Sequence, residues 1–409
     1  MLVKLAWKNI WRNKLRTGIM LSAMTFGLLG VVTMMGFMSG MVDNMVHNAI
    51  SWQTSHIQIH NQKQLSNPDI EDVINHPQKA LNFLSKQDDI QAWSPRFIVQ
   101  GMIGSARSNR SVRIIGVEPD KESLITPLVN SVTQGQWLPR AGRNPVLVSE
   151  KIANRLRLRI GSKVVLTFAD ASKDVTGAAF RVSGIFQTPS TSFDDQNIYV
   201  RIKDIQKIAG MTGFHEIALL YRSTDTEVSS ELLNSKVKEI KTLTDDTTLV
   251  RDWREIQPLL ASMISAMAVS NGIILGIFVL AMCLGIINIM LMSVYERTRE
   301  FGVLMAVGMK KHQIIWLIIC ESTWLGLCGA SLGLIVSETM IQILGITGLP
   351  LGSMAEGLGA YGVDTILYPR VSLFEYQIIF VTVVSASVIA AIYPARQVLK
   401  KRPAEAMAS

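Results

Sequence analysis

Few residues in this chain have the type and spacing that reaction chemistry needs. Six histidines, at positions 47, 56, 60, 76, 215 and 312, are scattered along 409 residues. His56 and His60 fall on one side of a candidate strand, but a third ligand is missing, so surface histidines are expected and a metal site is not. No H-E-x-x-H, C-x-x-C or G-x-x-x-x-G-K-[ST] occurs, and no Gly-Lys pair is present to cradle nucleotide phosphates. Glu321, Glu338 and Glu375 lie inside or beside long apolar runs. Acids there are costly and suggest function by default; proton relay is one reading, and pairing with a neighbouring helix is the expected one. Cys283, Cys320 and Cys328 also lie in apolar runs and read as buried thiols. Nothing points to catalysis. The chain reads as a non-enzyme with no metal or cofactor of its own.

The elements that must carry these residues are dominated by four apolar stretches. Thr17–Val42 and Ile256–Tyr295 hold no charged residue, His312–Leu349 holds only Glu321 and Glu338 as acids, and Tyr376–Ala395 holds no charge. Each exceeds or matches the roughly 20 residues that a membrane-crossing helix needs. Lys4, Lys8, Arg12, Lys14 and Arg16 precede the first stretch. Arg297, Arg299, Lys310 and Lys311 lie between the second and third, and Arg396, Lys400, Lys401 and Arg402 follow the fourth. Less Glu296, Glu300 and Glu405, these pieces carry +10 against +8 for the whole chain. Short basic flanks stay in the cytoplasm, so both termini and the 296–312 link are expected inside. The segment 43–265 has 26 basic and 24 acidic residues. The basic balance therefore reflects topology, and a nucleic-acid partner is not expected. The apolar run of the first stretch is too long for a cleaved signal core.

The expected organisation is an amphipathic N-terminal helix (1–16), with Trp7 and Trp11 one turn apart on the inner membrane surface, followed by a span at 17–42. An extracytoplasmic mixed α/β domain covers 43–265, followed by a span at 266–295, a link at 296–312 and a span at 313–345. An outer loop (346–374), a span at 375–395 and a cytoplasmic tail (396–409) complete it. Strands are expected at 55–60, 111–117, 163–168, 179–186, 197–200 and 216–221, and helices at 77–87, 149–158, 201–210 and 229–243. Segments 168–177 and 187–196 read as polar surface loops, and no disulfide is available to the domain. Ile256–Tyr295, as one helix, would be roughly 60 Å long at 1.5 Å per residue. The hydrocarbon core is only about 30 Å thick. Its N-terminal part, from near Pro258, must project outward as a stalk.

The link is longer than a turn requires. In 296–308, Phe301, Leu304, Met305 and Gly308 share one helical face, with Glu296, Arg297, Arg299 and Glu300 beside them. Gly308 suits the helix end, and Lys310 and Lys311 suit its C-terminal dipole. Interspersed acids and bases favour a groove on a cytoplasmic protein over the lipid surface. Methionines recur in the first two spans. Met34, Met38, Met41, Met263 and Met267 are candidates for an adaptable substrate surface, with lipid contact or helix packing as the alternative. Gly36-x-x-x-Gly40 would permit close helix approach.

Residues 290–322, "MLMSVYERTREFGVLMAVGMKKHQIIWLIICES", resemble the FtsX-like permease signature of the MacB/LolC/LolE superfamily of ABC transporters. "LAWKNIWRNKLRTGIML" (5–21) and "YPARQVLKKRPAEAM" (393–407) resemble that family's N- and C-terminal signatures, in the same order and spacing. The resemblance implies a MacB-like periplasmic core domain and a bacterial inner-membrane permease that works as a dimer, with itself or a paralogue. It also implies two copies of a separate ABC ATPase, which would bind ATP and Mg; a MacB protein carries its own ATPase domain, and these 409 residues do not. The 296–308 segment would be the coupling helix, and the stalk would carry ATP-driven motion outward (mechanotransmission). "VRDWREIQPLL" (250–260) is similar to a W-x-E-x-x-P-x-L stretch in the lipoprotein-releasing permeases, so extraction of lipoproteins is the favoured expectation. Export of peptides, antibiotics or other amphiphiles through an outer-membrane duct, with a periplasmic adaptor or chaperone, is the runner-up. Signalling to a cell-wall hydrolase is the third reading.

Overall fold

The structure, a computed structural model, describes residues 2–65, 69–222, 230–245 and 247–400. Residues 401–407 of the C-terminal signature, with Lys401, Arg402 and Glu405, lie outside them. The chain divides into two units. One comprises Met1–Met41, Met263–Pro350 and Ile366–Ser409, the other Val42–Ser262 and Leu351–Thr365.

The α/β unit is built on ten strands among the described residues: β1 Ile57–Asn61, β2 Ile90–Gly104, β3 Asn109–Val117, β4 Val132–Gly135, β5 Pro145–Ser149, β6 Lys163–Ala169, β7 Val175–Phe186, β8 Asn197–Arg201, β9 Glu216–Tyr221 and β10 Thr248–Asp252. Pairing runs β10-β1-β9-β2-β3-β8-β5-β7-β4, and β6 pairs with both β2 and β7. The path β2-β3-β8-β5-β7-β6 therefore returns to β2 and closes a six-stranded ring. Its β3–β8 and β5–β7 pairs are parallel.

Alternation along each strand fills the ring. Phe97, Val99 and Ile103 of β2, Val112 and Ile114 of β3, Val146 and Val148 of β5, Val164 and Leu166 of β6, Phe180 and Val182 of β7, and Ile198 and Val200 of β8 form one buried cluster. Small barrels are filled by inward side chains in this way. The opposite registers feed a second cluster. Ile115, Val117, Leu147, Phe186 and Tyr199 pack there with Trp52, Leu128, Leu138 and Phe193. The strand segments expected at 111–117, 163–168, 179–186, 197–200 and 216–221 all lie in strands, and β1 covers most of 55–60.

Two expected polar loops differ. Segment 168–177 forms the turned end of the β6–β7 hairpin, whose pairing reaches Ala169↔Val175. Segment 187–196 contains a helix, Thr191–Gln196, with buried Phe193 and Asp194. The Ser190 side chain caps it by accepting from Phe193 N at 3.3 Å. Asp194 accepts from Thr188 N at 3.0 Å and Thr188 Oγ1 at 2.7 Å. A run of polar residues is thus consumed by local hydrogen bonds that a composition-based reading does not register. Residues 351–365, expected as part of a separate outer loop, belong to this unit. Asn44 and Asp364 exchange two 2.8 Å hydrogen bonds, and Asn48 Nδ2 donates to Gly362 O at 2.7 Å.

One buried ionic group stands out. Arg96 Nε and Nη2 donate to Glu122 at 3.2 and 2.7 Å, and Nη1 donates to Glu216 Oε1 at 2.6 Å. Burial works against the Arg96 charge, but Glu122 and Glu216 override it and hold its pKa above the ordinary value. Burial likewise opposes ionisation of Glu216, and Arg96 overrides it, so Glu216 titrates below its ordinary value.

The histidines give this unit a pH dependence. Burial lowers His56 and His60 from 6.5 to about 4. The unfolded chain then binds protons that the folded chain refuses, so stability present above about pH 6.5 is lost as pH falls toward 4. Asp194 acts oppositely. Burial, only partly offset by Thr188, pushes it up to about 6, so its ionisation costs stability that acidification returns. Each shift is worth roughly 3 kcal/mol, and two histidines outweigh one aspartate. Unfolding of the chain, followed by tryptophan fluorescence in detergent, should shift to lower temperature between about pH 7 and pH 4. Replacing both histidines by Gln should make that slope shallower, leaving His215, which burial also lowers, to oppose Asp194; an unaltered slope would refute this assignment.

The helical unit has four helices long and apolar enough to cross a membrane among the described residues. The first is Lys14–Asn48, the second Pro258–Glu296, the third Lys311–Thr347 and the fourth Leu373–Lys400. The first and second extend past the unit boundary, to Asn48 and back to Pro258. Asp252 caps the turn before the second, accepting from Arg254 N and Glu255 N at 2.9 and 3.0 Å, and Pro258 opens the helix where its missing N–H costs nothing.

Small residues let these helices approach. A Cβ on Gly329 or Gly333 of the third helix would lie 2.7 Å from Met24 or 2.6 Å from Leu28 of the first. Ser322 Oγ donates to Ser387 O of the fourth at 2.7 Å. Close backbone packing of this kind holds helices together in lipid, where burial of apolar surface supplies little. Gly329-Ala-Ser-Leu-Gly333 has the G-x-S-x-G spacing of a nucleophile elbow. It lies inside a continuous helix, however, without the strand-to-helix turn that such chemistry requires. Gly36 and Gly40 also serve close approach, facing Ile341 and the backbone of Tyr368–Pro369.

Candidate functional site

The link between the second and third apolar helices folds as a short helix, Thr298–Ala306. Arg297, at φ −101° and ψ 11°, breaks the preceding helix. Gly308, at φ +103°, ends the link helix. Met309 N donates to Leu304 O and Gly308 N to Met305 O, at 3.0 and 3.1 Å. This is the Schellman arrangement, which favours glycine at the left-handed position. Lys310 N then bonds Gln313 Oε1 at 2.9 Å and starts the third helix.

Where each expected residue points corrects part of the sequence reading. Phe301 is buried, packed with Ala6, Val294, Ile314, Leu317, Ile318 and Ala395; Leu304 and Met305 are half-buried against the same cluster. Gly308 lies beyond the helix end. Phe301 is therefore satisfied within this chain, Leu304 and Met305 are satisfied in part, and Gly308 is exposed. The open face is Arg299, Val303, Ala306 and Val307, with Val303 51% and Val307 82% exposed. Arg299, Val303 and Val307 recur every four residues, so the second stripe is present in the sequence. In sequence, an apolar face is equally consistent with an internal or an external neighbour.

A network of ion pairs anchors the link. Arg12 engages both oxygens of Glu300, with Nη1 at 3.0 Å from Oε2. Arg16 Nη2 sits 2.5–2.6 Å from both oxygens of Glu296. Arg297 reaches Glu300 at 3.2 Å and Glu321 at 3.4 Å, and its guanidinium lies 5.4 Å from the Phe301 ring centre. The hydrogen bond from Arg12, with Arg297 adding to it, holds the Glu300 carboxyl below its ordinary pKa. In the sequence, Arg12 and Arg16 mark only a basic flank. Their pairing across nearly 300 residues of sequence has no local signal.

Glu321, at 8% exposure, is thus paired with Arg297. Glu338 accepts from Gln342 Nε2 at 2.7 Å, and Glu375 accepts from Ser372 N at 2.8 Å. The N-terminal helix ends at Ile10, and its Trp7 packs edge-on to Trp324 at 5.0 Å, so one face meets protein and not only the membrane surface expected for 1–16. Met20, Met24, Met35, Met282 and Met290 are buried in the helical core. The candidate substrate methionines lie outside that cluster. Met34 is exposed, and Met38, Met41, Met263 and Met267 are half-buried.

Comparison with known proteins agrees with this architecture. Residues 17–240, more than half of the chain, match the MacB-like periplasmic core domain, and residues 272–403 match the FtsX-like permease C-terminal family. An uncharacterized ABC transporter permease, YknZ of Bacillus subtilis, is 22% identical over 81% of this chain and 84% of its own length. The macrolide export ATP-binding/permease protein MacB of Chlorobium luteolum is 28% identical over 57% of this chain and 29% of its own. The lipoprotein-releasing system transmembrane protein LolC of Neisseria meningitidis is 20% identical over 80% of each. With four apolar helices, an α/β core of the MacB kind and an FtsX-like C-terminal part, the chain belongs to the ABC transporter permeases of the FtsX/MacB type.

Proposed function

We propose that this permease receives ATP-driven motion from a separate ABC ATPase subunit at the link helix and passes it along the first and second apolar helices to the α/β unit. The link and both termini lie in the cytoplasm, and the α/β unit lies outside the inner membrane, with the permease acting as a dimer. The two-faced link helix carries this reading. Its inner face is locked by Phe301 and the Arg12–Glu300, Arg16–Glu296 and Arg297–Glu321 pairs. Its outer face presents Arg299, Val303 and Val307 to a partner. A helix bonded to its own bundle moves with it when pushed, and an exposed apolar stripe flanked by charge suits a helix-in-groove contact. Single cysteines at Val303 and Val307 should cross-link to the co-expressed ATPase, and one at Phe301 should not. The reverse pattern would end this assignment.

The substrate favoured by this reading is an acylated protein drawn from the outer leaflet. The similarity to LolC over most of both chains supports it, as does the Trp253, Glu255, Pro258 and Leu260 run at the base of the second helix. Depletion should then strand acylated proteins in the inner membrane, and normal sorting in depleted cells would exclude this substrate. The higher identity to MacB favours, as a second reading, export of a peptide or other amphiphile through an outer-membrane duct. Co-purification of the complex with its bound molecule separates the two.

A further inference from the structure

On the outer side of the strand ring is a cavity of about 170 Å³, walled by Trp52, Ile115, Phe193 and Tyr199, with Arg113 and Glu216 among its polar lining. The two charges here are incompletely served. Glu216, only 2% exposed, gives Oε1 to Arg96 and to Gln58 Nε2 at 2.6 and 3.1 Å. Its Oε2 has one hydrogen-bond contact among the described residues, Arg113 Nη2 at 3.5 Å, at the limit of a hydrogen bond. Arg113, with a side chain 41% exposed, has that same long contact as its one ion pair among the described residues. By contrast, Arg96 is occupied on all three nitrogens by Glu122, Glu216 and Gln53 O. Glu216 Oε2 therefore retains acceptor capacity on a residue that lines the cavity.

Charge balance selects the ligand. Arg96 and Arg113 match Glu122 and Glu216, so the group as a whole has no surplus to hold a lone anion or a lone cation. It suits a neutral molecule bearing both signs a few ångströms apart. The aromatic and aliphatic wall then takes an uncharged body, and a cavity near 150 Å³ accommodates a benzene-sized group. We infer that this cavity binds a free α-amino acid with an uncharged side chain, its ammonium on Glu216 Oε2, its carboxylate on Arg113 and its side chain against Trp52, Ile115 and Phe193. Arg113 reaches out from a half-exposed position on β3, so it can swing to admit the ligand. The site does not depend on the transported substrate or on ATPase docking.

The test uses the full chain in lipid nanodiscs and calorimetric titration with alanine, valine, leucine and methionine. At least one should bind saturably below about 10 mM. N-acetylation or amidation of that amino acid should weaken binding at least about tenfold, because each removes one charge. In Arg113→Ala, the amino acid and its amide should bind equally, since the carboxylate has lost its partner. Gln196→Trp, an exposed change at the rim, should weaken both. No saturable binding of any of the four, or equal binding of the amide to the native chain, would overturn the inference. So would discrimination that survives Arg113→Ala. The native-chain comparisons decide the matter even where a variant fails to fold.

Discussion

Charging the outer face of the link helix, Val303→Asp together with Val307→Asp, should abolish association with the ATPase subunit and leave the permease folded and inserted. Both side chains are largely exposed, so their replacement removes few contacts within the chain, and surface changes usually stay within about 0.5 kcal/mol. In an apolar groove each new carboxylate would be desolvated without a partner, which costs about 3–5 kcal/mol. A loss of at least about a hundredfold in affinity follows. Phe301→Ala should behave differently. That ring is 3% exposed against Ile314, Leu317 and Ile318, and removing it costs roughly 3–5 kcal/mol of stability through the cavity left behind. Co-purification and ATPase stimulation, read beside thermal unfolding in detergent, separate the effects. An ATPase still bound to the double aspartate variant would show that the partner docks elsewhere.

Arg96→Met should produce a large loss of stability in the α/β unit. It would leave Glu122 and Glu216, 0% and 2% exposed, without their shared cation. Breaking one side of a buried ionic group costs about 3–5 kcal/mol, because the remaining charge is uncompensated. Against a total stability of about 5–15 kcal/mol, one substitution can empty the folded state at working temperature. The triple change Arg96→Met, Glu122→Gln and Glu216→Gln removes all three charges together, and should recover most of the loss. Thermal unfolding of the two variants checks this. If the single variant melts with the native chain, Arg96 is not the keystone described here; if the triple variant melts with the single one, the loss arises from packing and not from charge.

Much of this protein was legible in order along the chain. Runs with few or no charges, as long as a bilayer requires or longer, announce four apolar helices, because every backbone polar group in lipid must be satisfied within the segment. The excess length before the second span, beginning at Pro258, appears as an unbroken helix Pro258–Glu296. Alternation announced β3, β6, β7, β8 and β9, since the side-chain period of a strand is two. Three signature motifs announce the family.

What sequence order could not convey was which surfaces find each other. Phe301 and Val303 are both apolar and two residues apart; only the helices packed around the link, which supply Ala6, Val294, Ile314, Leu317, Ile318 and Ala395, decide that one is core and the other surface. Arg12 and Glu300 are 288 residues apart, and charge alone does not name a partner at that distance. The polar run 187–196 became a capped helix with Phe193 buried, because the second face of the strand ring needed covering. Local periodicity and solvation act on neighbours in the chain, whereas burial and ion pairing act on neighbours in space, and only folding creates those.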